Sequence, residues 1–159
     1  MSDDATIHGH EEILKQTIEL FRSFPAPPGI NLELPPPSSK TLDIQFEEYV
    51  PGKSLTATLM VPKHFGNAVG LLQGGFIAAL FDDLMGPLSY LIARSPTTSM
   101  ELTTHFLRPV FVGEQLKMTA TVRKAGRTAV YLAAEAYNGG GKLVATAMST
   151  IQVIPLPSA

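Results

Sequence analysis

The run LLQGGFIAALFDDLMG, residues 71–86, carries two adjacent aspartates, Asp82 and Asp83, inside an otherwise apolar stretch with helical spacing. A carboxylate in such surroundings costs free energy unless it is paired, hydrated or used. On a helix, the neighbours of Asp82 at three, four and seven residues are Gly75, Ala78, Ala79, Met85, Gly86 and Ser89, nearly all small. Asp83 shares its face with bulkier residues, among them Phe76, Leu80, Pro87 and Tyr90. A ligand or a second helix fits better beside Asp82. Asp82 is therefore the candidate catalytic carboxylate, either as general base on water or as nucleophile. Asp83 reads as structural or solvent-facing.

Gly74 and Gly75 open the same helix. Unpaired N–H groups and the positive end of the helix dipole gather there, which suits a carbonyl oxygen becoming an oxyanion. The plainer reading is a tight turn packed on a strand, and the two are compatible. Asp82 lies seven residues beyond Gly75, about 10 Å along a helix axis. A nucleophile and an oxyanion donor must both approach one reacting group to about 3 Å. One helix cannot easily do this, whereas two helices facing each other across a dyad can. The chemistry thus predicts a homodimer with Asp82 of one subunit opposite Gly75 of the other.

Basic residues are local rather than global. The net charge is −2, which gives no general attraction to nucleic acid or an anionic membrane. The cluster RKAGR, with Arg123, Lys124 and Arg127, and the separate Arg108 are candidates to meet phosphate groups at the mouth of a site. Solvated surface charge is the ordinary alternative for each. There is no cysteine, which excludes disulfides, thiolate catalysis and a cysteine-ligated zinc. No metal-ligand spacing is present, so no metal is expected. The opening MSDDATIHGHEE is polar and acidic, so no secretory leader is expected and the cytoplasm is the expected compartment. His8 and His10 read as part of a flexible polar end.

These groups need a scaffold, and 159 residues, 45% hydrophobic and 16% charged, suit one domain with a real core. EEILKQTIELFRSF, residues 11–24, has amphipathic helical spacing. PAPPGINLELPPPSSK follows, with six prolines in sixteen residues, and reads as an extended connector. Residues 1–39 are accordingly taken as an N-terminal helix and linker, and residues 40–159 as the main domain. There, TLDIQFEEYV and SLTATLMVP alternate as strands, with Leu42, Ile44 and Phe46 on one face and Leu55, Ala57 and Leu59 on another. The apolar helix then occupies about 74–93. Four strands follow, in TTSMELTTHFLRPV, EQLKMTATVRK, TAVYLAAEAY and LVATAMSTIQVI. Met100, Leu102, Thr104 and Phe106 are expected to share a face, and NGGGK is a hairpin signal. An antiparallel sheet needs one face covered, and only the 74–93 helix is apolar enough to cover it. That run is interrupted by Asp82, Asp83, Gly86 and Pro87, so it reads as a core helix rather than a membrane span. The expected class is α+β: a hotdog fold, a curved antiparallel sheet wrapped around one long central helix.

Asn67, the Gly74-Gly75 helix start and Asp82 within the helix resemble the PaaI-like, phenylacetate-degradation branch of hotdog acyl-CoA thioesterases. SMELTTHFLRPVFVGEQL, the turn AGRT and the hairpin GGGKLVATA match that family in kind and order. The resemblance spans roughly residues 40–153. It implies hydrolysis of an acyl-CoA thioester to a carboxylate and free CoA, with no cofactor beyond the coenzyme A of the substrate. It also implies sites between subunits of a dimer or a dimer of dimers.

Residue by residue, the resemblance gives Asn67 a role in positioning the substrate carbonyl or the water, the loop cap being its alternative. It gives Ser99 a hydroxyl that holds the attacking water, with an ordinary strand-start serine as alternative. Where the family carries His-Gly-Gly, this chain has Gln73-Gly74-Gly75. Gln73 can donate a hydrogen bond but cannot titrate near pH 7. Two other readings stand beside hydrolysis: a non-catalytic acyl-CoA-binding hotdog protein, and a hotdog hydratase, which would need a histidine paired with a carboxylate. Phe76, Met85 and Tyr90 are candidate acyl-pocket or core residues.

Overall fold

The computed structural model describes residues 6–26, 28–29 and 31–156. In chain order the elements are β1 (Ile7–His8), α1 (His10–Arg22), α2 (Pro37–Leu42), β2 (Gln45–Val50), β3 (Ser54–Met60), a single 3-10 turn (Lys63–Phe65), α3 (Gly74–Ala93), β4 (Thr97–Phe106), β5 (Gln115–Ala125), β6 (Ala129–Asn138) and β7 (Leu143–Val153). The strands form one sheet in the order β1-β2-β3-β5-β6-β7-β4, antiparallel throughout. It curves around α3, and the class is the expected α+β hotdog fold.

The period-two pattern supplies the sheet's lining. Leu55, Ala57 and Leu59 of β3 are buried, as are Leu116, Met118 and Ala120 of β5 and Val130, Leu132, Ala134 and Ala136 of β6. Against them α3 packs Leu80, Phe81, Leu84, Met85 and Leu88, all without exposed surface. By length and composition α3 alone among the described helices is apolar enough to cross a membrane; here it forms the centre of the core. Asn138 Oδ1 accepts from the Gly140 and Lys142 amides, at 3.2 and 3.0 Å. With Gly141 at φ 71°, a conformation that glycine adopts without strain, this closes the NGGGK hairpin.

Four local expectations are corrected. The proline-rich connector is not extended to its end, because Pro37–Leu42 is a helix with proline in its first turn. Proline is tolerated there, since its missing N–H would have no partner anyway. Leu42 is buried, and β2 begins three residues later than the alternation suggests. The N-terminal end is not loose around its histidines: Ile7 and His8 pair with Tyr49 and Glu48. His10 opens α1, and its Nδ1 accepts from the Phe46 amide at 3.1 Å. Finally, a bulge between Ser99 and Glu101 breaks the register of β4 against β7. It takes Met100 out of the row of Leu102, Thr104 and Phe106, and Met100 is 65% exposed.

Helix α1 lies on β2 and α3. Its Ile13 is part of the core, and the Phe21 ring meets Tyr90 of α3 edge-on at 5.1 Å between centroids.

Candidate active site on the central helix

Gln73 caps α3: its side-chain Oε1 accepts from the Phe76 amide at 3.3 Å, and its backbone oxygen takes the same amide at 2.9 Å. The Gln73 amide in turn donates to Phe65 O at 3.0 Å, which anchors the helix start to the 3-10 turn. Both glycines sit in close approach to neighbouring side chains. A Cβ on Gly74 would come within 3.1 Å of the Phe106 ring, and one on Gly75 within 2.8 Å of Gln73 Oε1. The amides of Gly74 and Gly75 belong to the first turn, where a helix offers no internal acceptor. With Gln73 Oε1 committed to Phe76, its NH2 group is a donor beside them.

Asn67 is the organiser of its loop. Its Oδ1 accepts from the Val69 and Leu71 amides, both at 3.0 Å, and its own amide donates to Leu71 O at 2.7 Å. The loop-cap reading of Asn67 is therefore realised, with its NH2 left as a donor.

The two aspartates diverge. Asp82 is exposed, and its Oδ1 accepts from Ser99 Oγ at 2.9 Å. Asp83 is half-buried and accepts from Ser39 Oγ of α2 at 2.6 Å. Burial pushes the Asp83 carboxyl above its usual 3.8, the Ser39 hydrogen bond opposes this, and the charge of Asp82 adds to the rise. Burial likewise raises the Tyr90 phenol, with smaller contributions from Asp82 and Asp83.

A cavity of about 660 Å³ opens beside them, between α1, α2 and α3. Its wall includes Asp82, Asp83, Ser99, Gly86 and Tyr90. A shallower groove of about 330 Å³ runs along the other side of Asp82, between Ala78 and Ala79 of α3 and Ser99–Leu102 of β4. Asp82, Ala79 and Ser99 border both spaces, so the carboxylate stands where chamber and groove meet. Of the three acyl-pocket candidates only Tyr90 borders the chamber. Met85 is buried in the core, and Phe76 stacks on Phe65 at 4.1 Å. Ser39, the partner of Asp83, had no sequence signal beyond serines following a proline that can start a helix.

The basic candidates do not converge within one chain. Arg123, Lys124 and Arg127 lie around the β5–β6 hairpin, where Ala129 pairs with Gln152 and Gln152 with Thr98. That is the Ser99 end of the sheet. Arg108 sits beyond the opposite end of β4, where its guanidinium donates to Leu143 O at 2.6 Å. No cluster of three or more metal-ligating side chains occurs among the described residues.

The structure is a hotdog sheet around a central helix that carries two adjacent aspartates and a glycine start. Residues 69–145 match the thioesterase superfamily. Human acyl-coenzyme A thioesterase 13 is 30% identical over 102 residues, which cover 63% of this chain and 72% of that protein. The chain belongs to the thioesterase superfamily. Among solved structures, the Escherichia coli PaaI protein of the phenylacetic acid degradation operon superposes with a TM-score of 0.75 at 21% identity, over 92% of this chain and 97% of its own. A Streptococcus mutans protein bound to acetyl-CoA superposes with a TM-score of 0.67 at 19% identity, over 84% and 100%. Both share the fold.

Proposed function

We propose that this protein is an acyl-CoA thioester hydrolase that releases a carboxylate and free CoA, with Asp82 as its catalytic carboxylate. The observation that carries the reading is the position of Asp82, exposed between the chamber and the groove and hydrogen-bonded to Ser99. A water held by Ser99 and Asp82 gives its proton to the carboxylate as its oxygen bonds to the thioester carbon. The carbonyl oxygen takes the charge and is met by the Gly75 amide, with Gly74, Asn67 and the Gln73 NH2 as further donors. The C–S bond then breaks, its electron pair leaves with sulfur, and the proton on Asp82 passes to the thiolate or to solvent. Direct attack by Asp82, through a mixed anhydride, uses the same geometry. Thiolate is a good leaving group, so no titrating histidine is required.

Asp82 and Gly75 stand about 10 Å apart along one helix, so the reading includes a homodimer in which each site takes Asp82 from one subunit and Gly75 from the other. The ten-residue β4 supports it: it is the end strand of the sheet and mostly exposed. An open edge with Phe106 57% and Met100 65% exposed invites pairing. Arg108 and the RKAGR hairpin, far apart in one chain, are assigned to the phosphates of CoA across such a dimer. The cytoplasm is the proposed compartment.

The test is thiol release from a panel of acyl-CoAs by wild type and Asp82→Asn, which keeps size and removes the base. A fall of at least about a hundredfold is expected. Unchanged rates would move the chemistry away from Asp82. Tight binding of CoA esters with no release by wild type would favour a binding protein, the reading that Gln73 in place of a titrating residue allows. A hydratase is less well served, because no histidine among the described residues is hydrogen-bonded or ion-paired with Asp82 or Asp83.

A further inference from the structure

We propose, on the basis of that thioesterase reading, that the chamber under the N-terminal helix holds the acyl group, and that Gly86 keeps its floor open. The preferred substrates would then be CoA esters of large apolar acids rather than acetyl-CoA.

Gly86 and Pro87 are adjacent in the middle of α3, and they are the two poorest residues for a helix interior. Glycine is usually kept at such a place for one of two reasons, and neither applies within one chain. Gly86 has no positive φ, and a Cβ built on it meets nothing within 4 Å. What lies there is empty space, because both Gly86 and Pro87 border the chamber. Gly86 is also one helical turn beyond Asp82, on the same face. Where a sequence breaks a local rule without a backbone or packing reason, function is the expected one.

The chamber's other walls suit an apolar guest. Leu14, Ile18 and Phe21 of α1 form one side and Leu42, Ile44 and Phe46 another, while Lys40, Asp43 and Asp83 also border it. Its volume of about 660 Å³ falls within the range of sites that enclose a drug-sized ligand, far more than an acetyl group needs. Both the chamber and the groove reach Asp82 and Ser99. The chamber's greater volume and the apolar side chains of α1 and β2 on its walls assign it the acyl group, with the thioester carbon at its mouth. The roof comes from α1 and α2, which precede the stretch 69–145 that matches the superfamily. Acyl selection is thus written partly in a segment outside that match.

The test compares wild type, Gly86→Ala and Gly86→Leu on acetyl-CoA and decanoyl-CoA. It also measures calorimetric binding of the inert thioethers S-ethyl-CoA and S-decyl-CoA, with sedimentation of each variant. The decanoyl-to-acetyl ratio of kcat/KM should fall in the order wild type, alanine, leucine, by more than about tenfold for leucine, since each lost methylene contact weakens binding severalfold. The decyl preference in calorimetry should fall in the same order, with sedimentation unchanged. An unchanged ratio overturns the proposal, as does dissociation of an oligomer by Gly86→Leu, which would make Gly86 a subunit contact. Decyl preference that Gly86→Leu abolishes, in a wild type that hydrolyses neither ester, would sustain the chamber and remove the hydrolysis. Should the leucine variant not fold, Gly86→Ala and Ile18→Phe on the roof carry the same comparison.

Discussion

Ser39 Oγ donates a 2.6 Å hydrogen bond to Asp83 Oδ1 across 44 residues of sequence. It ties the short helix after the proline-rich segment to the middle of the central helix. The bond explains why a second aspartate is tolerated beside Asp82: Asp83 faces a hydroxyl donor from α2, while Asp82 faces one from β4.

Asp83 makes stability depend on pH in a defined direction. Its folded-state pKa lies above the usual 3.8, chiefly through burial. The native state therefore holds this proton more tightly than the unfolded chain. Its contribution to stability is fully present below pH 3.8 and is lost as the pH rises through the elevated folded-state value. Asp83→Asn removes the titration and keeps an acceptor for Ser39. The difference in urea midpoint between variant and wild type should therefore move in favour of the variant as pH rises from about 3 to 7. A pH-independent difference would contradict the assignment.

Gln73 has two separable roles. Gln73→Ala removes the cap on the Phe76 amide and should lower stability by about 0.5–1 kcal/mol, read as a lower urea midpoint. Gln73→His places a titrating group at the helix start. The pH profile of kcat/KM should then gain an inflection near about 6.5 that wild type lacks. Absence of that inflection, with activity retained, would mean that residue 73 does not touch the reacting group.

Sites shared between subunits predict complementation. Homodimers of Asp82→Asn and of Gly75→Pro, which removes the Gly75 N–H in the first helical turn where proline is tolerated, should each be nearly inactive. When the two proteins are unfolded together and refolded at equal concentration, half of the dimers are mixed. Each mixed dimer carries one intact site and one doubly altered site, so about a quarter of wild-type activity should return. No recovery, in a mixture that mass spectrometry shows to contain mixed dimers, would place both groups of a site on one subunit.

The sequence determined those elements whose signal is local. Alternation at period two marked β3 and β5, and the NGGGK turn marked β6 and β7, because each strand lays one face on the core and buries Leu55, Leu116, Leu132 or Ile151 there. The 20-residue α3 was legible from Gly74 to Ala93, since its glycine start and long apolar run read as one core helix even across Asp82, Asp83, Gly86 and Pro87. Asp82 stood out for the same reason, as a charge on a stripe of small residues.

Only the tertiary structure decided the rest. Pro37–Leu42 becomes a helix because burial of Leu42 and the Ser39–Asp83 bond reward it, and the groups that Leu42 and Ser39 meet lie outside the segment. The two residues of β1 pair only because β2 offers an edge. Met100 leaves its expected row because a bulge, a property of two strands together, shifts the register. The chamber is the clearest case. Phe21, Leu42, Phe46, Gly86 and Tyr90 border one space, yet they come from segments that look unrelated in the chain. A sequence pattern reports what one element hides from water, whereas a cavity is the volume that several elements together leave unfilled.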